Sequence, residues 1–95
     1  MDYRAWITVP GIDIESDDAG FLLDVLDERF GSFGPVLSGV RNGVEVVLST
    51  GGANGEDRAR ALMLGAVTDA LLFGGFAEHP SGIRLERISG DVAVA

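Results

Sequence analysis

The chain of 95 residues is the size of one domain, and its hydrophobic content of 46% is that of a folded protein rather than a disordered segment. It contains no cysteine, which excludes disulfides, thiolate metal sites and cysteine nucleophiles. The net charge of -8, with seven basic residues that are all arginine and scattered along the chain, argues against nucleic acid or an anionic membrane surface as a partner.

In chain order, Tyr3, Ala5, Ile7 and Val9 alternate with Arg4, Trp6 and Thr8, the period of a half-buried strand, and Pro10-Gly11 ends it. Ser16 then precedes Asp17 and Asp18, the pattern of an N-cap followed by acids in a first helical turn. Ala19, Leu22, Leu23, Leu26 and Phe30 share one helical face, and Gly31 is the expected stop. Gly34-Pro35 opens a second strand, Val36 to Val40. The Asn42-Gly43 pair after Arg41 suits a tight hairpin, because both residues tolerate positive φ. Val44, Val46 and Leu48 then face inward on a third strand.

A glycine-rich bend, STGGANGED, leads to a second helix with Asn54 as the expected cap and Glu56 and Asp57 at its positive end. Ala59, Leu62, Met63, Ala66, Val67, Ala70 and Leu71 form the expected core stripe, and Gly74-Gly75 ends the helix. Ile83 to Ile88 reads as a last strand. Its broken alternation predicts a bulge near Glu86 or Arg87. Residues 89–95 are either a loose tail or an added edge pairing.

The order β-α-β-β-α-β, joined by right-handed crossovers, resembles the ferredoxin-like superfold over essentially the whole chain. The resemblance implies an α+β sandwich: one domain, 1–95, with a four-stranded antiparallel sheet in the order 4-1-3-2 and two helices on one face. The fold is shared by unrelated functions and carries none of them by itself.

The glycine bend lacks the lysine and hydroxyl residue of a P-loop and the spacing of a dinucleotide fingerprint, and its acids repel an anion. It is read as a structural corner. Acylphosphatases share the size and fold, but their arginine-bearing loop has no counterpart in PGIDIESDD, where acids stand instead. Asp13, Glu15, Asp17 and Asp18 lack the glycine and glutamate positions of a calcium loop and are read as serving the helix. His79, the single histidine, has no partner suggested by spacing. No catalytic, cofactor or metal site is therefore expected.

Two features point to association. The topology sets Trp6 on the sheet face away from the helices with Arg4, Thr8, Glu45, Val47, Ser49, Arg84 and Glu86. One amphipathic aromatic there fits a protein contact better than RNA stacking, which needs several aromatics with basic neighbours. Leu64, Thr68 and Leu72, extended by Phe73 and Phe76, form a second apolar stripe on the second helix, and a helix apolar on more than one side is buried on more than one side. The expected interface is thus Trp6, Val47, Leu64, Thr68, Leu72, Phe73 and Phe76, and the expected partner is a second copy of the chain or another protein. The alternative is a small-ligand regulatory domain of the ACT type, with its site at the pole of Pro10, Gly11, Asp13, Arg41 and His79. The N-terminus lacks the pattern of a secretion signal and Ala61 to Ala77 falls short of a bilayer span, so the expected location is cytoplasmic.

Overall fold

A computed structural model describes residues 2–88, and over them the chain alternates strand and helix as β1 (Asp2–Pro10), α1 (Asp17–Phe30), a short 3-10 turn (Gly31–Phe33), β2 (Val36–Val40), β3 (Gly43–Thr50), α2 (Glu56–Phe73) and β4 (Gly82–Ile88). The four strands form one antiparallel sheet in the order β2-β3-β1-β4, which is the expected order read from the other edge. The two helices pack on each other and on one sheet face. The expectation for residues 89–95 lies outside the described residues.

The strand pattern explains the core directly. Tyr3, Ala5, Ile7 and Val9 of β1 are buried, as are Val44, Val46 and Leu48 of β3, each at alternate positions. Register pairs them across the sheet, with Ala5 opposite Leu48 and Ile7 opposite Val46. Ala19, Leu22, Val25 and Leu26 cover this layer from α1, and Ala59, Met63, Ala66, Val67, Ala70 and Leu71 cover it from α2. No polar or charged side chain among the described residues is buried, so burial of apolar area holds the layers together without an internal ion pair.

Helix ends show where local signals were sufficient. The Ser16 hydroxyl accepts a hydrogen bond from the Ala19 amide at 3.3 Å, as a cap should. At the end of α2, Gly75 takes φ +77. Its amide reaches the Leu72 carbonyl at 3.1 Å and the Phe76 amide reaches the Leu71 carbonyl at 2.9 Å, the paired bonds of a Schellman stop.

Other expectations are corrected. α1 does end at Phe30 with Gly31 in the cap position, but Gly31 stays right-handed; the chain continues through the 3-10 turn and Gly34 takes the left-handed conformation, φ +59. Asn54 does not cap α2. Buried Ala53 anchors the bend, and the cap position falls one residue later on Gly55, which has no side chain to offer. Leu62 lies at the margin of the buried arc and is exposed, while Val25, outside the expected stripe of α1, is buried. There is no bulge in β4: pairing with β1 is continuous from Gly82 opposite Thr8 to Ile88 opposite Asp2. The alternation breaks because Ile88, at the last register position, stands on the sheet face that the helices do not cover.

The hairpin between β2 and β3 also works differently from the expectation. No residue other than glycine has positive φ among the described residues, and Gly43 is not among the positive-φ glycines. Gly43 is needed for space instead: a Cβ there would collide with the Val9 carbonyl oxygen and lie 2.6 Å from the Pro10 Cα. Gly65, midway along α2, has nothing within 4 Å of a Cβ. Substituting Gly43→Ala should therefore cost about 3 kcal/mol, whereas Gly65→Ala should stabilise the helix by about 1 kcal/mol, both read by chemical denaturation.

Candidate functional site

The topology gathers the loops into two poles. Beyond β1, the Gly11 amide donates to the Asn42 carbonyl of the hairpin at 2.8 Å, and a Cβ on Gly11 would lie 3.1 Å from the Glu78 side chain. Gly11, Ile12, Asp13, Ile14, Val40, Arg41, Asn42 and Gly43 line an open groove of about 390 Å³ here. Of the residues expected at this pole, Gly11, Asp13 and Arg41 line the groove, while Pro10 and His79 do not. His79 is exposed and makes no side-chain hydrogen bond among the described residues. Asp13 is occupied locally, its carboxylate accepting from the Glu15 amide at 3.0 Å. At the other pole lie Asp2, Ser32 and the start of the glycine bend, where Gly52 and Gly55 take positive φ. Glycines in such a bend serve its geometry.

The uncovered sheet face has a transverse apolar row. Register sets Val36 beside Val47, Val47 beside Trp6, and Trp6 beside Arg84. The Arg84 guanidinium lies 4.0 Å from the Trp6 ring centroid and pairs with Glu86 at 3.4 Å. Trp6 is half-buried within its own chain, and the cation–π contact with Arg84 covers one face of its ring. Arg4 donates to Ser49 on the same face at 3.3 Å.

Large apolar side chains are left exposed in two other places. The first is the outer surface of the helices. Leu72 is 68% exposed and Phe73 61%, with Leu62 and Phe21 beside them in exposure. Phe21 stacks on Phe76 with centroids 6.0 Å apart, so Phe76 is half-buried, and Leu64 likewise packs against the core. Thr68 is half-buried too. Arg29 covers part of this surface: its guanidinium lies 4.4 Å from the Phe73 centroid, and two of its nitrogens donate to one Asp69 oxygen at 3.1 and 2.9 Å. The pair is about half exposed and contributes little to stability.

The second place is the β2 edge. Val36 is 54% exposed, and Val40 and Ile14 are exposed beside it. Ile14 lies over Gly39 on the helix side of the sheet, where a Cβ would come within 2.8 Å of it. The expected order 4-1-3-2 already put β2 at an edge, but the expected interface included none of its residues. The edge position follows from the crossovers, and the lack of any charge between Gly34 and Val40 was the available signal. Phe21 was also missed; it lies off the α1 stripe, which is the signal that it faces out.

No family model, no curated protein and no solved structure matches the chain. Among the described residues there is no grouping of three metal-ligating side chains, and no helix is long and apolar enough to cross a membrane.

Leu72 and Phe76 were expected to act together, yet they differ in burial. Leu72→Glu should change stability by less than about 0.5 kcal/mol, while Phe76→Ala, which removes a ring packed on Phe21 and the core, should cost about 2 kcal/mol. Urea denaturation of the two variants checks this.

Proposed function

We propose that the protein is a non-enzymatic association module, built on the ferredoxin-like arrangement, that assembles with a second copy of itself. The observation that supports this reading is the grouping of its exposed large apolar residues. Val36 and Val40 lie along the β2 edge on the uncovered face, with Ile14 on the helix side of the same edge, and Phe21, Leu62, Leu72 and Phe73 lie on the helices. Grouped apolar surface marks contact sites, whereas scattered single residues do not. Charge narrows where contact can occur. Two chains of net charge -8 repel each other, so they meet most readily where neither presents a carboxylate.

Sedimentation velocity from micromolar to millimolar concentration tests the reading. A dimer that dissociates on dilution is the expected result, and a monomer throughout the range would end the proposal.

A second reading has its own support in the open groove beside Arg41. A cation, an acid and backbone groups converge there, which is what a small zwitterionic or anionic metabolite would need in a regulatory domain. Thermal-shift screening over amino acids and nucleotides should show a concentration-dependent rise in Tm for a true ligand. A flat response across both sets removes this reading and leaves the first untouched.

A further inference from the structure

We infer that the second copy joins at the free edge of β2, strand against antiparallel strand, about a twofold axis through Ser38. The inference rests on the self-association reading and adds its surface and register.

The direction of the backbone groups carries the argument. The Gly11 amide donates to the Asn42 carbonyl, so the hydrogen-bonded positions of β3 toward β1 are 42, 44, 46 and 48. Pro10, which has no N–H, sits opposite Gly43, in agreement with this phase. Residues 43, 45 and 47 therefore bond the other way, to their partners Val40, Ser38 and Val36 on β2. The N–H and C=O groups of Leu37 and Gly39 are left pointing out of the sheet edge.

These two residues are spaced as an antiparallel ladder requires. A twofold axis through Ser38 places Leu37 opposite Gly39 of the second copy, and Gly39 opposite its Leu37, giving four N–H···O bonds. The side chains are compatible with the same axis. VLSGV is nearly palindromic: Val36 meets Val40 of the second copy, Ser38 meets Ser38, and Leu37 meets Gly39, over which the exposed Ile14 of that copy lies and offers it an apolar contact. An edge without charge or proline inside it also lacks the devices that keep sheet edges apart.

Charge favours this edge over the helix surface. Between Gly34 and Val40 there is no ionisable side chain. An axis through the Leu72–Phe73 surface would instead set Asp69 and Arg29 against their own copies. The cost on the β2 side is that α1, which packs beside β2, brings exposed Asp24 and Asp27 of both copies into the same half of the assembly. Salt screens that repulsion, so the dimer should tighten as ionic strength rises.

Variants at exposed positions test the register by sedimentation, with circular dichroism to confirm the fold. Val36→Lys with Val40→Lys sets like charges opposite each other at both ends of the ladder and should yield monomers. Val36→Lys with Val40→Glu sets lysine opposite glutamate and should restore the dimer. Leu72→Glu with Phe73→Glu should leave it intact. Because the chain has no cysteine, Ser38→Cys should cross-link to itself under mild oxidation: the paired Cα atoms would lie about 4.5 Å apart, within disulfide reach. If the two-lysine variant stays dimeric while the helix variant dissociates, the edge is the wrong surface although self-association stands. If the wild-type chain is monomeric throughout, both readings fall.

Discussion

β1 is hydrogen-bonded along both of its edges, to β3 on one side and β4 on the other, and the remaining architecture follows from that double pairing. Its inward residues, Ala5, Ile7 and Val9, have no solvent exposure at all. A register slip of one position would turn all of them onto the uncovered face and Arg4, Trp6 and Thr8 into the core, which makes the register costly to change. Once β1 is central, the crossovers carry β2 and β4 to the two edges. The hairpin lands beside Gly11, and the second helix starts at the opposite pole.

Two helices can cover only one face of a four-stranded sheet, so the apolar residues divide into three groups. Those at the right phase under the helices are buried. At the centre of the uncovered face Trp6 is shielded within its own chain by Arg84. The rest, on the outer helix surface and along β2, have no such cover. Trp6 is the residue that composition singles out, yet its own chain already partly satisfies it. The exposed valines of β2 attract no notice in the sequence and are less covered.

The acidity of the chain acts on this arrangement as a filter. Its carboxylates concentrate in α1, the loop before it and the start of α2, while β2 has none and the second half of α2 has only Asp69, held by Arg29. Repulsion between acidic chains therefore closes off most of the surface and leaves the neutral parts available. The same filter disfavours phosphate chemistry at the glycine bend, where Glu56 and Asp57 follow directly on the positive-φ glycine.

Much of the fold was legible in the sequence by itself. Period-two alternation identified β1 and β3 and their buried residues, Ser16 identified the start of α1, and Gly34-Pro35 identified the first residue of β2. Each of these signals is local, because side-chain direction repeats along a strand or helix whatever surrounds it. What only the tertiary structure decided concerns neighbours distant in sequence. Gly43 is required by the approach of Val9 and Pro10, Leu62 is exposed because it lies beyond the reach of the sheet, and the broken alternation of β4 comes from Ile88 facing the uncovered side and not from a bulge. The edge position of β2 was already given by the element order and its right-handed crossovers; only the structure decided how far Val36, Val40 and Ile14 stay exposed along it, because exposure depends on which distant elements pack over the edge.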